Sequence, residues 1–243
     1  MSAAPRVGSF QRRGSSVSSE TTLTSLLVAT GRPPLAAKQS SFLASDSGPS
    51  DVRLFYSGDL SVLNHPSVAI VGARAVSDAG ILRARRLSRE LSQGGLTIVS
   101  GLAKGVDTTA HCAAIEVGGR TAAVIGTPLS KAYPAENRAL QDEIAAHHLL
   151  VSQFEEGSRV FPANFPKRNR VMAAVSDGTV IIEASDSSGT LHQAAECQRL
   201  GRWLFILQSV FEDPKLSWPK SFAGYERTRI VRTSEDVLGA LIT

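Results

Sequence analysis

The densest concentration of chemistry-bearing side chains in the sequence is Phe165-Pro166-Lys167-Arg168-Asn169-Arg170. Three cations and an amide fall within four residues, behind an aromatic ring, at the predicted start of a helix. Lysine and arginine neutralise phosphates, and a phenylalanine ring stacks on an unpaired base. The same pattern also describes a solvated helix face with Phe165 turned into the core. Spacing alone leaves both readings open. Four further stretches are rich in glycine or small hydroxyl residues: Gly72-Ala73-Arg74, Ser100-Gly101-Leu102-Ala103-Lys104-Gly105, Gly126-Thr127-Pro128 and Ser187-Ser188-Gly189-Thr190. Glycine lets backbone N–H groups approach an anion, and a helix N-terminus adds partial positive charge. Arg74 and Lys104 would contribute full charges at the same places. Such turns are also ordinary in α/β folds, so no single one of them identifies a phosphate site.

Residues suited to bond-making chemistry are sparse. His192 and Glu196 lie four apart on a predicted helix, but no third metal ligand accompanies them, and an exposed pair is the simpler reading. His111 beside Cys112 reads as structural, and Asp107 as a helix cap. No GxSxG elbow occurs, and Cys112 has no evident partner base. After the first predicted strand the chain runs Gly72-Ala-Arg-Ala-Val-Ser-Asp-Ala-Gly80, which is not GxGxxG, and no GxxxxGK[ST] is present. These absences lead to the expectation of a non-enzyme with no cofactor and no metal.

The elements that must hold those residues follow from composition and periodicity. Of 243 residues, 42% are apolar and 20% charged, enough for a buried core and incompatible with wholesale disorder. No run approaches the roughly 18 apolar residues of a membrane span. Two cysteines make no disulfide framework and suit a reducing compartment. The net charge of +4 is uneven: five basic and two acidic side chains fall in residues 1–50, leaving +1 for residues 51–243. Any anion site in the folded part must therefore come from local clustering.

Residues 1–50 are rich in Ser, Thr, Ala, Pro and Gly and read as a low-complexity, disordered tail. Their composition also resembles a transit peptide, though without an amphipathic basic helix. Leu26-Leu27-Val28 after Ser25 is left unassigned. Strands are predicted at 68–71, 96–99, 121–125, 148–154, 179–183, 203–207 and 229–231. Helices are predicted at 81–91, 107–117, from Pro134 through Ile144, and at 169–175, 189–200 and 234–242. Strands that are apolar throughout are buried on both faces, as parallel sheets are. Alternating β and α elements imply right-handed crossovers. The expectation is an extended Rossmann-like α/β domain over residues 51–243, doubly wound, with a mostly parallel sheet and helices on both faces.

Taken together and in order, Gly72-Ala73-Arg74, Gly101-Leu-Ala-Lys-Gly105-Val-Asp107 with Ala110-His111, Tyr133-Pro134-Ala-Glu-Asn137, Phe165 through Arg170, and Ser188-Gly189-Thr190-Leu191 resemble the DNA-processing protein A (DprA, or Smf) family. The likeness covers about residues 53–208, beginning at Leu54-Phe55-Tyr56-Ser57-Gly58-Asp59-Leu60. It implies a cytoplasmic, dimeric protein that binds single-stranded DNA and loads a RecA-type recombinase during natural transformation, without catalysis. By motif, Gly72 and Arg74 would hold a phosphate, with Gly101 and Lys104 in the neighbouring turn. Lys167, Arg168 and Arg170 would line the strand, while Ser188, Gly189 and Thr190 would offer hydroxyls and amides. Asn169 would fix the loop or reach a backbone oxygen, and Phe165 would stack on a base.

The chain departs from the family pattern in several places. Ala73 stands where the family usually has serine, and Pro128-Leu129-Ser130 where it has Gly-Leu-Asp. Leu207-Gln208-Ser209 replaces a Pro-Gly, and Phe211 to Gly224 replaces a Gly/Asn-rich loop. The helical N-terminal and winged-helix-like C-terminal domains common in relatives are not evident. An alternative is a small-nucleotide sensor or a phosphoribohydrolase-like enzyme, whose PGGxGTxxE motif the Ser187–Gln193 stretch resembles. Gln193 occupies the position of the catalytic glutamate there, and an amide cannot act as a carboxylate base. A third possibility is a scaffold that keeps the sheet while a partner does the work.

Overall fold

Every strand of the sheet's middle is buried along its whole length, and the nine strands it belongs to are laid out around one reversal of direction. The computed structural model describes residues 18–35 and 51–242. Strands β1 (Ser19–Thr22), β2 (Arg53–Gly58), β3 (Ser67–Val71), β4 (Thr97–Ser100), β5 (Thr121–Ile125), β6 (Leu149–Ser152), β7 (Gly178–Ile181), β8 (Trp203–Leu207) and β9 (Thr228–Val231) form one sheet in the order β1-β2-β6-β5-β4-β3-β7-β8-β9. From β6 to β9 all neighbours are parallel, and β2 and β1 add an antiparallel edge beside β6. The chain runs outward from β3 through β6, then returns to build β7, β8 and β9 on the other side. The carboxyl ends of β3 and β7 are therefore where successive connections leave in opposite directions, the place where an open α/β sheet leaves a crevice.

The helices are α1 (Leu23–Ala29), α2 (Asp78–Gln93), α3 (Val106–Glu116), α4 (Arg138–His147), α5 (Asn164–Val175), α6 (Thr190–Arg199), α7 (Gln208–Phe211), α8 (Trp218–Ser221) and α9 (Glu235–Leu241). Helix α2 packs on α3, and α5 on both α6 and α1. Right-handed crossovers put the first group on one face of the sheet and the second on the other. The alternation along β5 shows both faces filled: Ala122 and Val124 join the cluster of Val171, Met172 and Val175, while Ala123 and Ile125 join Leu140 and Ile144. The expected extended Rossmann-like, doubly wound architecture is the one observed. Two expectations shift. Helix α5 starts at Asn164, five residues before the predicted start, and the segment read as irregular after β8 holds the single turns α7 and α8.

The expectation of a disordered tail is corrected for residues 18–35. Thr22 caps α1 by accepting from Ser25 N, and Leu23, Leu26 and Leu27 are buried in the main core. The run Leu26-Leu27-Val28 thus lies in a helix whose apolar side is covered by α5. Arg32 locks the segment down. It is 6% exposed, and its guanidinium donates to Asp177 Oδ1 (3.1 Å) and Oδ2 (2.8 Å), to Leu63 O (2.7 Å) and to Ser67 Oγ (2.8 Å). The other residues of the expected tail, 1–17 and 36–50, lie outside the described residues.

His111 is structural, as its surroundings in α3 dictate. Thr121 Oγ1 gives its proton to Ile98 O (2.7 Å), so His111 Nδ1 must be the donor in its 2.7 Å contact with that hydroxyl. Nε2 is buried with no partner among the described residues. Charging the ring would bury an N–H without an acceptor, and burial lowers the His111 pKa to about 3. Between that value and the unfolded value near 6.5, the unfolded chain takes up a proton that the fold refuses. Stability from this group is present above pH 6.5 and lost as pH falls towards 3. Urea unfolding at pH 7.5 and pH 5 should show the parent losing about 2 kcal/mol more than His111→Gln over that interval. Equal losses would contradict the assignment.

Candidate functional site

A cleft of about 840 Å³ opens at the carboxyl ends of β3 and β7. Its lining comes from helix α5 and the connections after β3, β4, β7 and β8, and close backbone approaches shape the turns after β3 and β4. After β3, Ile182 N donates to Val71 O (3.0 Å) and Ala73 N to Glu183 O (2.8 Å), which carries the β3–β7 pairing past both strands. A Cβ on Gly72 would sit 2.6 Å from Val106 Cγ2, so only glycine lets this turn lie on the start of α3. Gly105, at φ +85°, brings the next turn within 2.6 Å (Cβ position) of Arg74 O. The two glycine turns are thus packed against each other. Ser77 caps α2 through Gly80 N and also donates its hydroxyl and backbone N–H to the Glu183 carboxylate, while Arg83 approaches that carboxylate at 3.4 Å.

Asp107 is not the expected cap. Helix α3 begins at Val106 behind Gly105, and Asp107 is buried, accepting from Gly101 N (3.2 Å) and Ala103 N (3.3 Å). It braces the loop between β4 and α3 from inside. Burial raises its pKa, opposed by Arg168 and by those two N–H groups. Leu102 in this loop is left-handed (φ 56°), and its carbonyl is held by Asn137 Nδ2 at 2.8 Å.

The cationic cluster divides. Because α5 starts at Asn164, residues 164, 168, 171, 172 and 175 form its inward stripe, and Arg168 lies on it. Arg168 is 5% exposed, donates to Val124 O (3.0 Å) and sits 3.9 Å from Asp107 Oδ2. Its guanidinium fills the space over Gly101, where a Cβ would be 1.2 Å from Nη1. The expectation that Arg168 lines a bound strand is therefore corrected: it lies at the cleft's floor, and desolvation works against its charge. Gly101 is accounted for by the same contact and does not line the cleft. Lys167, on the adjoining face, is exposed. Arg170 is half-buried and 3.5 Å from Glu196, and Lys104 is 3.4 Å from Glu136. None of these three lines the cleft.

Phe165 is half-buried, seated on Gly126, with the Arg74 guanidinium 5.3 Å from its ring centroid. Arg74 is exposed at the rim and has no carboxylate partner among the described residues. Opposite, Ser188 Oγ accepts from Thr190 N (3.2 Å) at the start of α6, and Gly189 is exposed with open space where a Cβ would be. Asn169 and Gln193 meet on the floor. The Gln193 amide satisfies both its ends when it donates to Asn169 O (2.7 Å) and accepts from Thr179 Oγ1 (3.1 Å). The cleft thus gathers Gly72, Arg74, Phe165, Arg168, Asn169, Ser188, Gly189 and Thr190 from the expected set.

Sequence reasoning missed two parts of this site. Arg83 and Glu183 face the cleft, and Ser209, Val210, Asp213 and Leu216 wall it on the β8 side. That wall is tied to the β7–α6 connection: Asp186 accepts from Ser217 N and Trp218 N, and the Trp218 indole donates to Ala184 O (3.0 Å). A tryptophan in an otherwise polar stretch was the available signal. His192 and Glu196 form no pair. Glu196 is 2.6 Å from Arg199, and no metal-binding cluster occurs among the described residues. No described helix is long and apolar enough to cross a membrane.

Residues 43–241 match the family model described as DNA recombination-mediator protein A. The chain belongs to this family. It is 40% identical over 187 residues to the DNA processing protein DprA of Streptococcus pneumoniae, covering 77% of this chain and 66% of that relative's length. The X-ray structure of the S. pneumoniae DprA superposes with a TM-score of 0.72 at 37% identity, over 85% of this chain and 71% of that one. A DprA structure from Helicobacter pylori, described for its single-stranded DNA binding mode, gives a TM-score of 0.70 at 26% identity, over 92% and 95%. The family's sheet is thus present.

Proposed function

We propose that the chain binds single-stranded DNA along the rim of this cleft, in a recombination role, and not as an enzyme. The observation that carries the reading is Arg74: an exposed guanidinium without a carboxylate partner, held over the Phe165 ring at the mouth of a cleft with open backbone at Gly189. Within the cleft proper the charges offset, because Glu183 is engaged by Ser77 and Arg83, and Asp107 faces Arg168. Arg74 is the exposed cation at the rim and Lys167 adds another on the adjoining face, against Asp213 on the β8 wall, while Ser188 and Thr190 offer hydroxyls and Gly72 a close backbone. The H. pylori relative's described binding mode supports the same ligand. We carry over from the family likeness a cytoplasmic homodimer that delivers the strand to a RecA-type recombinase.

No observation favours the small-nucleotide enzyme. Gln193 is an amide committed to Asn169 O and Thr179, and the Glu183 carboxylate in the same cleft is engaged by Ser77 and Arg83. Titration of labelled single- and double-stranded oligonucleotides at two salt concentrations tests the reading. With Arg74 and Lys167 neutralising about two phosphates, the single-strand salt slope is expected near −1.4, from about −0.7 per contact. Affinity independent of salt, or free base released from nucleoside monophosphates, would contradict it.

A further inference from the structure

The sequence points to Phe165 as the ring on which a base would stack, yet that ring is already occupied. Gly126 lies beneath it, the Arg74 guanidinium is 5.3 Å from its centroid, and the Tyr133 ring is 5.2 Å away at 42°. The exposed aromatic surface beside Phe165 belongs to Tyr133, which is 48% exposed and stands just outside the cleft lining. Its hydroxyl has no hydrogen-bond partner among the described residues, so the ring is not held there to satisfy a polar group. Phe161 is also exposed but has no ring partner among the described residues.

The loop carrying Tyr133 is fastened on every side. Thr127 Oγ1 donates to Lys131 O (2.6 Å), Gln141 Nε2 to Leu129 O (2.7 Å) and Arg138 to Ser130 O (2.7 Å). Ser130 donates its hydroxyl and backbone N–H to the Glu156 carboxylate of the next loop, and buried Asn137 bonds Leu102 O and Thr108. These anchors fix the loop on both sides of Tyr133, whose ring contributes little to the core and packs on Phe165. An exposed ring on an anchored loop, sharing the Phe165 ring as neighbour with an unpaired guanidinium, is an arrangement that stacks an unpaired base with little loss of conformational freedom on binding.

We infer that Tyr133 is the base-stacking residue of the site, and that Phe165 is a positioning residue that holds Tyr133 and Arg74 in place. The inference rests on the single-strand reading above and adds to it the ligand's chemistry at this point: a nucleobase face, not a phosphate. A strand lying across the mouth places one base on Tyr133 while its backbone passes Arg74.

The test uses the whole protein and labelled single strands of equal length, one intact and one with abasic sites throughout. Tyr133→Ala is expected to bind the intact strand about tenfold more weakly, and Tyr133→Phe to bind it like the parent. On the abasic strand the parent and Tyr133→Ala should bind alike. The salt slope of Tyr133→Ala should equal the parent's, since no phosphate contact is removed. Unfolding temperature checks that the exposed substitution leaves the fold intact. If Tyr133→Ala binds the intact strand as tightly as the parent while Arg74→Ala does not, Tyr133 is not the stacking residue and the single-strand reading survives. If neither substitution weakens binding, the single-strand reading itself fails. Loss of self-association in Tyr133→Ala with binding unchanged would make the ring a protein contact and equally overturn the inference.

Discussion

Arg168→Ala is expected to lose about 3–5 kcal/mol of stability, while Lys167→Ala, one residue away, stays within about 0.5 kcal/mol of the parent. Both belong to the same run of cations, and a surface role would make them alike. Removing the Arg168 guanidinium leaves the buried Asp107 carboxylate with two backbone N–H donors and no cation, and strands Val124 O. Arg168→Lys should not restore the loss, because one ammonium cannot reproduce a planar group that reaches both partners. The deficit also has a pH signature. Asp107's pKa is already raised by burial, and without Arg168 it rises further. The folded variant then holds a proton that the unfolded chain releases above about 3.9, so its stability falls as pH rises. The gap between variant and parent should be larger at pH 8 than at pH 5. A second check is coupling with Gly101: Gly101→Ala forces a methyl into the guanidinium and is costly in the parent, and much less so beside Arg168→Ala. Urea unfolding of the four proteins measures both effects, and additive losses would contradict the geometry.

Arg32→Ala is expected to cost about 3 kcal/mol, from a buried pair broken on one side. At this chain length that is roughly 6–12 °C in Tm. Asp177 is 28% exposed on its side chain, so part of its charge regains water, which keeps the figure at the lower end of such losses. What distinguishes this variant is where it loosens. Arg32 joins the N-terminal segment to Leu63 O, Ser67 and Asp177, at the amino ends of β3 and β7 and away from the cleft. Hydrogen exchange should quicken in β1 and α1 before β3 or β4, and single-strand affinity should change little. Uniform loosening across the sheet would show that the segment is not an independently anchored cover.

Both effects bear on what the sequence discloses. The parallel strands were legible because each carries an unbroken apolar run: Val68-Ala69-Ile70-Val71 and Ala122 to Ile125 need no partner to be recognised. The order of strand-end motifs placed the cleft for the same reason, since each motif directly follows such a run. The N-terminal cover was hidden because its anchor is remote. Arg32 meets Asp177, 145 residues away, and no local pattern reports that. The division of the cationic cluster was hidden by a boundary error. Starting α5 at Asn169 leaves Arg168 outside the helix. Starting it at Asn164 puts Arg168 in line with Val171, Met172 and Val175 and turns it inward. Asp107 was misread because a carboxylate near a helix start usually caps it, and the bonds that claim this one come from the loop before the helix.

The claim on which the account rests is that Arg74 presents its charge to the phosphates of an unpaired strand at the cleft mouth. Equilibrium binding of one labelled single strand, measured for the parent and Arg74→Ala across a salt series, tests it most directly. The account predicts that Arg74→Ala binds at least about tenfold more weakly at low salt, as for a lost charge-assisted contact, with a salt slope shallower by about 0.7. An unchanged affinity together with an unchanged slope would contradict it.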